Sequence, residues 1–515
     1  MIPLFTSSQI REIDEFAINH LGIPSFALME NASISIYHEI INHFPSEQYY
    51  SILIGKGNNG GDGLALARHL INDDKFVKLL FVGDPNKLSK DAQINWNILQ
   101  KYTTTLIEYK VYNSKKDINF IKNSDVIIDA LLGTGSKGEL KGNYSEIIEE
   151  VNKLDCYKVS IDLPSGLNCD SGYGELVFDA DLTLTLAEFK KGLFFEKGYL
   201  NSGKVLKCSI GISNSFFNKY DVFDYLIEPE DAFDGLPLKN FDIHKYSAGK
   251  VLIIAGSFDL PGAPMLAGIS ALKTGAGAVI LAAPYNASLL MTNNYHDLVI
   301  KKIGSEESNY FSAENIKQLQ ENISWADSIV LGPGIGKNKK TKEFVLELLK
   351  KNPKKIFIID ADALSLISDQ LNSLDLSNCV LTPHQGEFER LTGIKKEDFS
   401  KDILHYGKKF AKDNKCLLVL KGMRTIIFND NSEAFINTAG NPGMAKFGTG
   451  DVLSGILGSF ISQSRYKESA VISAVYLHSL AADILLEEKT EYGITATDIS
   501  NNIPNAINFL RNSID

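Results

Sequence analysis

The stretch Asn441-Pro-Gly-Met-Ala-Lys-Phe-Gly-Thr-Gly-Asp451 puts two glycines, a hydroxyl and an acid side by side. Free backbone N–H groups at a helix start favour an anion, and glycine lets a phosphate approach the chain. An acid beside a bound phosphate needs a reason, because like charges repel. Asp451 has one if it takes the proton from a hydroxyl that attacks the phosphate. The bland alternative is an Asp that caps its own helix beside a turn that only turns. Downstream, Leu453, Ile456, Leu457, Phe460 and Ile461 recur at helical spacing. Gly455, Gly458 and Ser459 leave another face bare enough for close packing.

Other stretches with chemical potential each follow an apolar run. Gly55-Lys-Gly-Asn-Asn-Gly-Gly-Asp-Gly63 is neither a Walker A loop nor a clean GxGxxG, yet it suits a phosphate. Asp129-Ala-Leu-Leu-Gly-Thr-Gly-Ser-Lys-Gly-Glu139 and Asp162-Leu-Pro-Ser-Gly166 come after later runs. Asp129 and Asp162, with Asn59 and Ser165, offer oxygen ligands, which suit an alkali or alkaline-earth cation rather than zinc. A strand-end Asp is also a common turn cap. In the second half Lys421-Gly-Met-Arg-Thr425 supplies charge, backbone access and a hydroxyl, or merely a turn with solvated charges. Leu331-Gly-Pro-Gly-Ile-Gly336, Asp360-Ala-Asp-Ala-Leu364 and Thr382-Pro-His-Gln-Gly-Glu387 complete the set. His384 is a loop histidine that solvent alone would explain.

Positioning these stretches takes alternating strands and helices. Helices are expected over Ser7–Leu21, capped by Ser7 or Ser8 with Ile10, Ile13, Phe16 and Ala17 on one face, and over Ala27–Phe44. Strands are expected at Tyr50–Ile54, Val77–Val82, Val126–Asp129, Val159–Asp162, Leu182–Leu186 and Val205–Ile210, with helices over Gly63–Ile71 and Ser89–Gln100. Residues 213–245 break the rhythm. It resumes with strands at Val251–Ala255, Ala278–Ala282, Ser328–Leu331, Ile356–Ile359, Cys379–Leu381 and Leu417–Leu420, and a helical tail over Glu468–Glu487. Strand–helix alternation means mostly parallel sheets covered on both faces, with ligands past the carboxyl ends of strands. We expect two α/β domains, 1–220 and 221–515.

With 515 residues, 44% of them hydrophobic and 22% charged, the chain is ordinary globular protein too long for one core. A net charge of -11 argues against a nucleic-acid surface. Five scattered cysteines without a CxxC pair fit a reducing compartment and no structural zinc. No apolar run reaches membrane-spanning length and no signal peptide is evident, so a cytoplasmic enzyme without a membrane partner is expected.

Asn58-Asn-Gly-Gly-Asp-Gly63, Asp129-Ala-Leu-Leu-Gly-Thr-Gly135, Asp162-Leu-Pro-Ser-Gly166 and Phe26-Ala-Leu-Met-Glu-Asn-Ala32 resemble the NAD(P)H-hydrate epimerase domain. The resemblance covers nearly all of the first ~220 residues, a plausible single-domain size. It implies a Rossmann-like α/β/α sandwich in which Asn59, Asp129 and Ser165 ligate K⁺. Asn58, Asn59, Gly60, Gly61, Asp62, Gly133, Thr134, Gly135, Ser136, Lys137, Gly138, Glu139 and Asp162 would contact the hydrated nucleotide, with Asp162 as acid/base at C6.

From about residue 245 onward the chain resembles the ribokinase-like superfamily, and within it the ADP-dependent NAD(P)H-hydrate dehydratase. That resemblance rests on Asn441 to Lys446 with Gly448-Thr-Gly-Asp451, on Thr382-Pro-His384 and on Leu331-Gly-Pro-Gly334. It assigns Lys421, Gly422, Met423, Arg424, Thr425 and Gly450 to the adenine nucleotide, and Ala263, Gly334, His384 and Asp451 to the hydrate. Phe447 stands where that family usually has glycine, which predicts crowding of the loop. The implied small molecules are NADHX, NADPHX and ADP as co-substrate, with Mg²⁺ in the second domain and a homo-oligomeric assembly. Two rivals stay open: a vitamin or sugar kinase with an accessory nucleotide-binding domain, and a nucleotide-binding regulatory protein.

Overall fold

The computed structural model describes residues 1–135, 139–237, 239, 241, 243–244, 247–291 and 295–514. The chain forms two compact units. One comprises Pro3–Val222 with Ser400–Asp402, the other Met1–Ile2, Phe223–Phe399 and Ile403–Asp515.

The first unit is built on seven strands among the described residues. Their order is Ile107–Val111, Phe76–Phe81, Tyr49–Ile54, Val126–Ala130, Tyr157–Ile161, Leu182–Leu186 and Lys204–Cys208. Every pairing is parallel. Continuous apolar runs such as Ser51-Ile-Leu-Ile54 are buried on both faces, and separate apolar clusters form on the two sides. The strands ending at Ile54, Ala130 and Ile161 are neighbours, so the three glycine- and acid-bearing segments emerge side by side.

Two details differ from expectation. Thr6, not Ser7 or Ser8, caps the Ser7–Asn19 helix, because Thr6 and Gln9 satisfy each other's backbone N–H in a capping box. Asn58 to Asp62 are not a turn before a helix but its first turns, in Asn58–Asn72. Glycine permits this, since a Cβ on Gly60 would lie 2.1 Å from the Gly55 carbonyl oxygen and one on Gly61 would strike Met29. Met29 belongs to the Phe26–Ala32 motif, so that motif's place in the fold is against the glycine-rich helix start.

In the second unit the sheet has eleven strands among the described residues. Parallel neighbours run from Leu417–Leu420 through Cys379–Leu381, Phe357–Ile359, Ser328–Leu331, Lys250–Ile254 and Ala278–Pro284 to Val299–Ile303. Beyond Leu417–Leu420, Ile426–Phe428 and Ala434–Ile436 add an antiparallel meander. Asp224–Leu226 then pairs with Ala434–Ile436, so the irregular stretch after residue 213 contributes a strand. These short segments escaped the sequence reading because they fall outside the strand–helix alternation by which other short runs, such as Cys379–Leu381, were recognised.

The Gly262–Lys273, Thr449–Gln463, Lys467–Ile484 and Ala496–Ile514 helices bury one face of this sheet in a single core cluster. Lys467–Glu487 is long and apolar enough to cross a membrane, which corrects the expectation that no stretch is. Its mean hydropathy of 1.6 has a different cause: 72% of the window is buried inside the unit. A helix surrounded by protein is apolar all round.

Candidate active sites

In the first unit the Asp129 carboxylate is wholly buried. It accepts hydrogen bonds from the Ser165 N–H at 2.7 Å, the Ser165 hydroxyl at 2.8 Å and the Leu131 N–H at 3.1 Å. Ser165 Oγ accepts from Leu132 N–H at 3.0 Å. The Asn59 amide nitrogen donates to the carbonyls of Leu132 and Ile161. That fixes the amide so that Asn59 Oδ1 is buried, and among the described residues it has no hydrogen-bond partner. Burial pushes the Asp129 carboxyl up to about 6 against the bonds that favour its charge. An orphaned carbonyl oxygen, a hydroxyl and a buried carboxylate are oxygen groups of the kind that suit an alkali or alkaline-earth cation.

Asp162 adopts φ +69°, which bends the chain out of its strand and turns the side chain back to the site. Its carboxylate accepts from Thr134 N–H at 3.1 Å, Leu186 N–H at 3.3 Å and Lys190 Nζ at 2.5 Å. Gly133 lies close by, a Cβ there falling 3.0 Å from Asp162 Oδ2. Lys190 is fully buried and also donates to Thr185 Oγ1 and the Leu186 carbonyl. Sequence reasoning missed Lys190; the lysine pair set among aromatics in Phe189-Lys-Lys-Gly-Leu-Phe-Phe195 was the available signal. Asn58, Gly60, Gly61 and Asp62 sit with Asn59 in the helix start, and Gly135 and Glu139 lie on the neighbouring segment. Ser136, Lys137 and Gly138 lie outside the described residues.

In the second unit sheet order lines up the candidates. Adjacent parallel strands end in turn at Lys421, Thr382-Pro-His384, Asp360, Gly332-Pro-Gly334 and Ala255-Gly256. Lys421 Nζ donates to Asp360 Oδ1 at 2.7 Å, and Thr382 Oγ1 and Ser454 Oγ donate to the same carboxylate at 2.8 and 2.7 Å. Burial opposes charge on Asp360, yet Lys421 and these donors outweigh it and hold the carboxyl below the usual range. Burial likewise opposes the Lys421 ammonium, but Asp360 and Glu387 push it upward. The pair is therefore ionised, and its ammonium lies beside Gly450, 3.2 Å from where a Cβ would be.

The Thr449–Gln463 helix begins there, after Gly448 at φ +93°, with Asp451 in its first turn. Burial, then the charge of Asp360, pushes Asp451 up to about 7. Asp451 thus changes protonation near neutrality at the positive end of a helix beside a fixed ammonium. A cap alone would not need that arrangement.

The His384 side chain is exposed, as a loop histidine would be, but it also has a structural role. It caps the Gln385–Thr392 helix, its Nδ1 accepting from Gly386 and Glu387 N–H at 3.0 and 3.3 Å. Burial and then Lys421 lower its pKa, so the ring is neutral and leaves Nε2 as donor. Ala263 and Gly334 face each other, a Cβ on Gly334 lying 3.2 Å from that of Ala263. Arg424 donates to the carbonyls of Asn437 and Thr438, and Met423 is exposed beside it. Thr425 joins the same turn through its carbonyl, which receives Asn437 N–H, and Gly422 packs near Arg424. Phe447 is fully exposed and does not crowd the loop, contrary to expectation.

Residues 251–505 match the family described as NAD(P)H-hydrate dehydratase, and residues 25–192 match the YjeF-related protein N-terminus. The bifunctional NAD(P)H-hydrate repair enzyme of Moorella thermoacetica is 32% identical over 99% of this chain and 98% of its own. That of Coxiella burnetii is 32% identical over 97% of this chain and 98% of its own. The chain belongs to the bifunctional NAD(P)H-hydrate repair enzyme family. A ribokinase-like superfamily protein of Enterococcus faecalis V583 is similar to 56% of the chain at 26% identity and a TM-score of 0.50, over 98% of its own length. The repair-enzyme fold is thus ribokinase-like in its second half, and a vitamin or sugar kinase with an accessory nucleotide-binding domain is not favoured.

Proposed function

We infer that the chain repairs hydrated NAD(P)H, interconverting the R and S hydrates at C6 in its first unit and dehydrating the S hydrate with ADP in its second. The observation that carries this reading is Asp451 pushed up to about 7 in the first turn of a glycine-started helix beside the Lys421–Asp360 pair. Asp451 deprotonates the C6 hydroxyl as it attacks the terminal phosphoryl group of ADP, and AMP leaves. The Gly448–Gly450 backbone and Lys421 hold the charge of the transferring group. The ring nitrogen lone pair then expels phosphate from C6, C5 loses a proton, and the C5–C6 double bond returns. His384, Gly334 and Ala263 border the hydrate, and Lys421 to Thr425 with Gly450 border the nucleotide.

Mg²⁺ accompanies the nucleotide in this proposal and neutralises phosphate charge. No group of three or more His, Cys, Asp or Glu suited to a metal occurs among the described residues, which fits an ion carried largely by phosphates. In the first unit K⁺ sits among Asn59, Asp129 and Ser165, supported by the unpartnered Asn59 Oδ1, and supplies positive charge beside the bound hydrate. Asp162 is the acid/base group. A cytoplasmic location and a homo-oligomeric state complete the proposal, and fractionation and light scattering test them.

Purified protein incubated with hydrated NADH and ADP should restore the reduced-nicotinamide absorbance and release AMP and phosphate. A stable phosphorylated product would overturn the dehydratase reading, and tight binding without turnover would point to a regulator. Asp129→Ala should abolish epimerisation and leave ADP-dependent dehydration intact. Potassium that neither binds the wild type nor raises its epimerase rate over a lithium buffer would remove the cation from the proposal.

A further inference from the structure

Asp162 and Ala187 follow neighbouring parallel strands, Tyr157–Ile161 and Leu182–Leu186, and adopt φ +69° and +66°. Neither is glycine, and such backbone persists only where its surroundings hold it. At each, a hydrogen bond spans two residues: Leu163 N–H donates to the Ile161 carbonyl at 2.8 Å, and Glu188 N–H to the Leu186 carbonyl at 2.9 Å. With positive φ this is the strained form of the γ-turn.

Lys190 joins the two turns. Its fully buried ammonium donates to Asp162 Oδ1 at 2.5 Å, at the apex of the first turn, and to the Leu186 carbonyl, the acceptor of the second. The Thr185 hydroxyl accepts the remaining donor at 3.0 Å. An ammonium has three N–H donors and no acceptor, so none is left for a substrate. The backbone around Lys190 is fixed as well: Phe5 N–H donates to the Phe189 carbonyl at 2.8 Å and Lys191 N–H to the Phe5 carbonyl at 3.1 Å.

The two oxygens of Asp162 are thereby unequal. Oδ1 accepts from Lys190 and from Leu186 N–H at 3.3 Å. Among the described residues Oδ2 accepts only from Thr134 N–H, at 3.1 Å. A Cβ on Gly133 would lie 3.0 Å from Oδ2 and 3.5 Å from the Asn59 side chain, so Oδ2 is the oxygen on the side of those two residues. A buried ion pair is a poor device for stability alone, since apolar groups of similar volume often serve as well. Resting on the epimerase reading above, we propose that Lys190 is the positioning residue of the epimerase: its ammonium clasps both strained turns and Asp162 Oδ1, leaving Oδ2 to exchange a proton with the hydrate. Thr185 acts through Lys190 by holding the ammonium in place.

The test is the rate of R/S interconversion by the full chain, without ADP and corrected for spontaneous exchange. Lys190→Met keeps the length of the side chain and removes the three donors. It should lower kcat and kcat/KM together, roughly 10²-fold, the cost of a small misplacement at the reacting group. Thr185→Val removes one acceptor at nearly constant volume and should lower kcat about 10-fold, while Thr185→Ser, which keeps the hydroxyl, should restore it. Dehydration of the S hydrate with ADP should stay unchanged in all three, and melting curves check the fold of the first unit. Where Lys190→Met fails to fold, the Thr185 pair decides. A wild-type kcat in Lys190→Met, a loss confined to KM, or a Thr185→Ser no better than Thr185→Val overturns the inference, while an inactive Asp162→Asn keeps the epimerase reading in place. A wild type that never exceeds the spontaneous rate sinks both.

Discussion

Asp451 serves as a base only when ionised, which sets the sign of its pH dependence. Burial raises its pKa to about 7, so dehydration should climb as pH rises through 7 and level off above it. Asp451→Asn keeps the shape and the helix start while removing the proton acceptor. It should lower ADP-dependent repair by about 10²–10⁴-fold, erase the neutral limb and leave nucleotide binding intact, as measured by absorbance recovery and calorimetry. Near-wild-type repair would dismiss the assignment. Asp451, Asp129 and Asp162 were legible because each sits in or beside a glycine-bearing stretch whose chemistry is local. Lys190 and Ser454 were not, because what defines each is a partner far along the chain: Asp162 for one, Asp360 for the other.

At the scale of elements, the bare face of the Thr449–Gln463 helix was legible from its small residues, and its partner was not. That partner is Gly262–Lys273: a Cβ on Gly455 would lie 2.1 Å from both the Ala267 carbonyl oxygen and Ser270 Oγ. Ser270 Oγ also donates to the Val452 carbonyl at 3.0 Å, so a side chain of one helix bonds the backbone of the other at this close approach. Gly455→Ala must push them apart, which should cost about 1–3 kcal/mol. Because the helix carries Asp451 at one end, dehydration should fall with the melting temperature of the second unit while epimerisation holds. Calorimetry with unchanged melting would refute that packing. The antiparallel strands Ile426–Phe428 and Ala434–Ile436 stayed invisible for another reason: only their ladder with Leu417–Leu420 gives them identity.

At the scale of the molecule, two units with separate cores allow one activity to be disabled alone. Given mixed epimers and excess ADP, Asp162→Asn should repair the S fraction quickly. The R fraction should then fall only at the spontaneous epimerisation rate. Rapid, complete recovery by this variant would show that Asp162 is not the epimerase acid/base. The alternation of strands and helices revealed two sheets and their site-bearing ends. The irregular stretch after residue 213 hid the fact that Asp224–Leu226 already belongs to the second sheet.

That second sheet has a history in time. All its strands are complete at Ile436, yet the Thr449–Gln463, Lys467–Ile484 and Ala496–Ile514 helices of its core cluster are still to come. A ribosome adding about 5–20 residues per second needs several seconds to deliver them. Throughout that interval a nascent chain carries an apolar sheet face without most of its cover, followed by the apolar Lys467–Glu487 segment. The first unit, translated earlier, has by then been free to fold. Elongation rate late in the message thus governs how long the newborn second unit is a client for chaperones.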